Sequence, residues 1–248
     1  MYLRAKHLQG TKIHATDGKL GQLHSVYFED RDWKVRYFLV DTGGHMGGRL
    51  VLISPYAMDS VNSRRGEIRL DLTTAQVETS PPMDAALPVS RQMEARMVQH
   101  YGWPAYWSSY PTAAGLPIPP AEAGRPTNTE TVPPSAAEDS GLRSSDEIIG
   151  YGIHARDGEI GYVEDIFCET MNWHVRFLLV DTRRFLPGGR NVILPVGIIN
   201  GLSWQDGTVD VASWRKEIKE APQLPDDGHI DTSVLSSVRD HYEAVRRL

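Results

Sequence analysis

Two short runs carry the residue types needed for acid–base chemistry. "FLVDTGG" (Phe38 to Gly44) and "FLLVDTR" (Phe177 to Arg183) each end an apolar stretch in Asp-Thr. Two such carboxylates, one from each half of a pseudo-symmetric molecule, can lie about 3 Å apart and share one proton, as in an acid protease. That arrangement needs a glycine after each Asp-Thr so that the backbone turns tightly. Gly43 meets this in the first run, but Arg183 and Arg184 stand there in the second. Two guanidinium groups beside the pair would keep both acids ionised. Asp41, Thr42, Asp181 and Thr182 are therefore expected to end strands and brace the loops that follow, by side-chain-to-backbone bonds.

The other reactive residue types give less. His14 and His154 each precede an aspartate, Asp17 or Asp157, by three positions. One His and one Asp beside a hairpin supply at most two metal ligands, and His7, His24, His45, His174 and His229 do not cluster in the sequence. Histidines on the outer face of a first strand are expected instead. The pairs Gly47-Gly48 and Gly188-Gly189 lead into strands, whereas a phosphate-binding loop opens a helix. The single cysteine, Cys168, excludes an intramolecular disulfide and a thiolate zinc site. Arg36 and Arg176 sit inside apolar runs. Pairing with an acid of the same repeat is favoured over a partner-facing role. No catalytic residue, cofactor site or metal site is expected.

One further segment draws attention. In "YGWPAYWSSYP", Tyr101, Trp103, Tyr106, Trp107 and Tyr110 crowd the end of a helix that Pro104 terminates. Rings of this kind pack on their own domain or anchor a partner, since Trp and Tyr dominate interface hot spots. Both readings stay open. Stacking on single-stranded nucleic acid is disfavoured because basic residues do not interleave.

The elements that must hold these residues are duplicated. Residues 10–42 and 150–182 share Gly10, Ile13, His14, Asp17, Gly18, Gly21, Glu29, Trp33, Arg36, Asp41 and Thr42 at an offset of 140. After a one-residue insertion the offset is 141, so that "SRQMEARMVQHY" from Ser90 aligns with "DTSVLSSVRDHY" from Asp231. Each copy predicts an Asp-Gly hairpin and a second strand with a bulge near Leu23–Val26 or Val163–Ile166. A third strand, "WKVRYFLV" or "WHVRFLLV", is apolar enough to be buried on both faces. Two more strands follow, then a helix capped by Ser90 or Asp231, with Met93, Met97 and Tyr101 or Val234, Val238 and Tyr242 on one stripe. Closely spaced short strands imply a small barrel. The fold class expected is mainly β: two small antiparallel barrels, each followed by a C-terminal helix. The domains read as 1–110, a Pro/Ala/Thr-rich linker over 111–146 too polar to build a core, and 147–248.

The repeated block, with its Gly-Gly strand and the "NVILP" ending of the second copy, resembles the PRC-barrel family, the cytoplasmic domain of photosynthetic reaction-centre H subunits. The same module is the C-terminal domain of a 16S ribosomal RNA maturation factor. The resemblance implies a non-enzymatic scaffold or adaptor for protein–protein interaction, with a membrane complex docked from the cytoplasmic side as partner. The alternative it implies is an RNA- or ribosome-associated factor. The formal net charge of −6 and the lack of a Lys/Arg tract argue against nucleic acid. The first fifteen residues lack the apolar stretch of a secretory signal, and no run approaches membrane-helix length. A soluble cytoplasmic bacterial protein is expected, peripheral to the inner membrane if its partner lies there. Packing between barrels and homodimerisation both remain open.

Overall fold

The computed structural model describes residues 1–43, 48–62, 65–83, 89–109, 141–183 and 189–246. The chain is mainly β, with two seven-stranded sheets. The first half runs β1 (Tyr2–Arg4), α1 (Ala5–Leu8), β2 (Lys12–Ala15), β3 (Gly18–Glu29), β4 (Val35–Asp41), β5 (Leu50–Ile53), β6 (Met58–Asn62), β7 (Glu67–Leu70), α2 (Thr74–Glu78) and α3 (Arg91–Tyr101). The second half runs β8 (Leu142–Ser144), α4 (Ser145–Ile148), β9 (Gly152–Ala155), β10 (Gly158–Glu169), β11 (His174–Asp181), β12 (Asn191–Pro195), β13 (Ile199–Ser203), β14 (Thr208–Val211), α5 (Arg215–Glu220) and α6 (Thr232–Arg246).

Each half lays its strands in the same order, β5-β4-β3-β2-β7-β6 and β12-β11-β10-β9-β14-β13. The long strands β3 and β10 carry the expected bulges, between Leu23 and Ser25 and between Val163 and Asp165. A bulge bends a strand and increases its twist, which lets one strand serve two neighbours on the same edge. The start of β3 pairs β2, and its end, Tyr27–Glu29, pairs β8. The apolar run of β4 also has a direct explanation. Phe38 and Val40 enter the barrel core, while Tyr37 and Leu39 enter a second cluster with Leu52 and Met97 beneath α3. A helix covering the outer face makes both faces of the strand apolar.

The two halves are not independent modules on a tether. Strand β1 pairs β10 of the other half, with Tyr2 opposite Glu169 and Arg4 opposite Phe167. Strand β8 pairs β3 in return, with Ser144 opposite Tyr27 and Leu142 opposite Glu29. Residues 142–146, which composition places in the linker, are therefore folded. Leu142, Ser145 and Ile148 are buried, and the Ser145 hydroxyl accepts from the Val26 amide at 3.1 Å. A three-residue strand has no periodicity to detect, which hides it in the sequence. The rest of the expected linker, 111–140, lies outside the described residues.

A second contact runs around the same approximate two-fold axis. The Val35 amide donates to the Trp173 carbonyl at 2.7 Å, and the Val175 amide donates to the Trp33 carbonyl at 2.8 Å. Residue i meeting j while j meets i is the mark of a two-fold contact, here within one chain. Trp33 and Trp173 hold left-handed backbone angles, φ 62° and 52°. That conformation costs roughly 1–2 kcal/mol for a non-glycine residue, and ring burial offsets it. Trp33 stacks on Phe28 and Trp173 meets Phe38 edge-on at 4.7 Å. One apolar core cluster runs through both halves.

Candidate functional site

The Asp-Thr endings do the same thing in both halves. Asp41 Oδ1 accepts from the Gly43 amide at 2.8 Å, and Asp181 Oδ1 accepts from the Arg183 amide at 2.8 Å. Thr42 Oγ1 donates to the Arg49 carbonyl and accepts from its amide, at 3.0 and 3.3 Å, and Thr182 repeats this with Arg190 at 2.9 Å each way. Both threonine residues are fully buried. The side chains thus satisfy backbone groups where a strand stops pairing. Asp181 is further held by the Arg183 guanidinium and accepts from the Tyr162 hydroxyl at 2.7 Å. The hydrogen bonds from Arg183 hold its carboxyl well below the ordinary carboxylate range. A carboxylate held ionised in this way does not share a proton with a second acid.

Glycines complete the strand ends. A Cβ on Gly21 would lie 2.0 Å from the Asp41 carbonyl oxygen, and one on Gly161 would lie 2.3 Å from that of Asp181. The repeated Gly is therefore required by the close crossing of β3 over the end of β4. Asp17 and Asp157 also have structural tasks. Asp17 accepts from the Thr74 amide and hydroxyl at 2.8 and 2.9 Å, and Asp157 accepts from the Arg215 amide at 2.8 Å. The hairpin aspartates tie the turn to the start of α2 or α5, two helices the sequence did not reveal. Gly18 keeps an ordinary φ, so the expected positive-φ hairpin glycine is not needed in the first half.

Both carboxylate oxygens of Asp17, the expected neighbour of His14, are engaged by Thr74. His154 faces Glu159 at 3.2 Å and Asp210 at 3.7 Å on the surface. Among the described residues no group of three His, Cys, Asp or Glu side chains is placed to hold a metal ion. Cys168 is buried, and desolvation pushes its thiol up to about 12. The in-strand arginines pair with acids of their own half, Arg36 with Glu29 at 2.6 Å and Asp32 at 2.7 Å, and Arg176 with Glu169 at 2.8 Å.

The aromatic segment turns back onto its own barrel. Tyr101 and Trp103 stack at 4.1 Å between ring centres, and both pack with Tyr106 against the cluster under α3. The Tyr106 hydroxyl donates to Glu94 Oε1 at 2.6 Å, and Arg91 Nη1 donates to Glu94 Oε2 at 2.8 Å. Tyr37 also hydrogen-bonds Glu94. The Arg36 guanidinium lies 4.0 Å from the centre of the Tyr106 ring, and that of Arg91 lies 4.9 Å from the Trp107 ring. Glu94 is fully buried, and desolvation raises its carboxyl to about 7. Tyr101, Trp103, Tyr106 and Trp107 are thus partly buried on the first barrel, while Tyr110 lies outside the described residues.

The signal for this inward packing was Glu94, a charged residue in an apolar helix stripe. It reads as an ordinary first-turn acid until its partners are known. The second half lacks the segment, and its equivalents of Tyr37, Arg91 and Glu94 are Phe177, Thr232 and Leu235. Helix placement is otherwise alike. His100 and His241 each use Nε2 to contact a carbonyl of the preceding short helix, Gln76 at 2.8 Å and Glu217 at 2.9 Å.

Comparison with known proteins agrees with this architecture. No curated protein matches the chain. The family model of the PRC-barrel domain matches residues 2–77, which take in β1 through most of α2. With its strand order, bulged long strand and Asp-Thr ending now described, the matched stretch, residues 2–77, is a PRC-barrel domain.

Proposed function

We propose that this chain is a non-catalytic adaptor that binds a protein partner through the outer faces of a rigid double barrel. The observation that carries this reading is the reciprocal exchange of β1 and β8 between the halves. Exchange fixes two similar helix-covered faces relative to each other. A pre-organised pair of faces lowers the ordering cost of association. The acids that resemble catalytic residues are engaged in bracing loops, which supports a role other than chemistry.

The partner class favoured by the family resemblance is a membrane-bound complex of the reaction-centre type, met from the cytoplasmic side. Among the described residues no helix is long and apolar enough to cross a membrane, so this chain would meet such a complex at its surface. The test is affinity capture of the full chain from a native lysate that includes solubilised membranes. A partner recovered in fixed ratio to the bait is the expected result. Recovery of bait alone at every expression level would overturn the adaptor reading.

A further inference from the structure

The two halves differ on the outer face, where the first lays its own aromatic segment and keeps only a smaller hollow of about 190 Å³ lined by Arg36, Tyr37, Trp103 and Tyr106. In the first half Tyr106 lies against Tyr37, Arg91 and Glu94. The corresponding place in the second half is an open groove of about 570 Å³ between α6 and the strands β11 and β12. Phe177, Thr232 and Leu235, the counterparts of those three residues, all line it, together with Pro195, Val238 and Tyr242. Arg176 tells the same story. Its counterpart Arg36 is covered by the Tyr106 ring and is 10% exposed, whereas the Arg176 side chain is 41% exposed.

We propose that this groove binds a short aromatic segment of the protein partner, seated as residues 103–107 are seated on the first barrel. The proposal rests on the adaptor reading and names the face that reading uses. The first barrel serves as the structural precedent for the bound state: a chain reversal after a helix, with one ring laid under the in-strand arginine. The lining sets the chemistry of the ring. Glu94 accepts the Tyr106 hydroxyl in the first half, but Leu235 offers no acceptor at that place. A buried hydroxyl without a partner is costly. A ring seated as Tyr106 is seated would bring its para position to Leu235 and not to the Thr232, Ser236 and Glu243 oxygens that line other parts of the groove, so Phe or Trp is preferred to Tyr, and Arg176 lies where Arg36 meets a ring face.

The test uses the full chain labelled with ¹⁵N and two synthetic peptides, GWPAYW, which copies residues 102–107, and GWPAFW, its Tyr-to-Phe form. Saturable shifts are expected at amides of α6 and β11, with GWPAFW bound at least about fivefold more tightly, the lower end of what a stranded hydroxyl costs. A Thr232→Arg and Leu235→Glu double variant rebuilds the clamp of the first barrel, and in it the preference is expected to reverse toward GWPAYW. Absence of saturable shifts with either peptide, or shifts confined to other surfaces, overturns the proposal. So does peptide-independent, concentration-dependent shifting of the same amides, which would identify a second copy of the chain as the occupant. The titration needs no natural partner, so its failure removes the groove while the capture experiment decides the adaptor reading separately.

Discussion

The ion pair Arg4–Asp165 is the most exacting test of the strand exchange. Asp165 is fully buried at the bulge of β10. Its Oδ2 accepts from Arg4 Nε at 2.8 Å, and its Oδ1 accepts from the amides of Ile166 at 2.8 Å and Lys6 at 3.3 Å. Replacing Asp165 by Ser removes the counter-charge and leaves two amides short of an acceptor. Breaking a buried pair from one side costs about 3–5 kcal/mol. Arg4 keeps 18% side-chain exposure and can rehydrate in part, so about 3 kcal/mol is expected. Arg4→Ser leaves the carboxylate unpaired in a fully buried site and should cost at least as much. The double variant places Ser at both positions, as the other half does with Ser144 and Ser25. It should lose only about 1–2 kcal/mol, the value of the missing amide acceptor. The assay is equilibrium urea unfolding followed by tryptophan fluorescence, evaluated as a double-mutant cycle. A coupling energy of about 4 kcal/mol is expected, and additive single effects within about 0.5 kcal/mol would refute the pair. Two separate unfolding transitions in the unaltered chain would refute the shared body itself.

Other outcomes follow from the same coordinates. Gly21→Ala should cost about 3 kcal/mol or more through overpacking against the Asp41 carbonyl, whereas Gly18→Ala, with open space around its Cβ, should stay within about 1 kcal/mol by thermal unfolding. Thr182→Val keeps the shape of the side chain but strands the Arg190 amide, while the Arg190 carbonyl still accepts from the Thr182 amide at 3.1 Å, with an expected loss of about 1–3 kcal/mol in urea. Desolvation raises the Glu94 carboxyl to about 7, so the folded state holds that proton more tightly than the unfolded chain. The stabilisation is complete below the ordinary glutamate value and is lost as pH rises through about 7. Its size, about 3 kcal/mol at most, should appear as a fall in urea stability between pH 5 and pH 8. Glu94→Gln should abolish that fall while Arg91, Arg36, Glu29, Tyr37 and Tyr106 remain in place.

The repeat made much of the fold legible. Asp-Thr at the end of an apolar run, a break in alternation near Leu23 and the Ser90 and Asp231 caps are local patterns, and each has a local cause. The Asp231 cap, for example, accepts from the Val234 amide at 2.9 Å and the Ser233 hydroxyl at 2.8 Å. The exchange was not legible, because β1 and β8 have three residues each and their partners lie more than 100 positions away. Short helices α2 and α5 were hidden for the same reason, and the aspartates that receive their first amides looked like hairpin residues. The aromatic segment was visible as composition alone. Its direction is set by Glu94, Arg91 and Tyr37, three residues spread over a strand and a helix, and no spacing rule links them to Tyr106.

Divergence between the copies explains how a duplicated chain avoids a symmetric, interchangeable assembly. In either copy the first strand could dock on its own barrel or on the other, since the backbone pairing is alike. The side chains are not alike. Arg4 on its own barrel would meet Ser25 in place of Asp165, and Asp165 would meet Ser144 in place of Arg4. Self-docking therefore strands a buried carboxylate, while exchange pairs it. Discrimination arises from the penalty on the wrong arrangement as much as from the gain in the right one. The same logic acts on the outer faces. Glu94 and Arg91 commit the first face to its own Tyr106, and Leu235 and Thr232 leave the second without that polar clamp. The first face thereby carries its own aromatic segment and the second does not, and the two are held in fixed relation by strands that each half lends to the other.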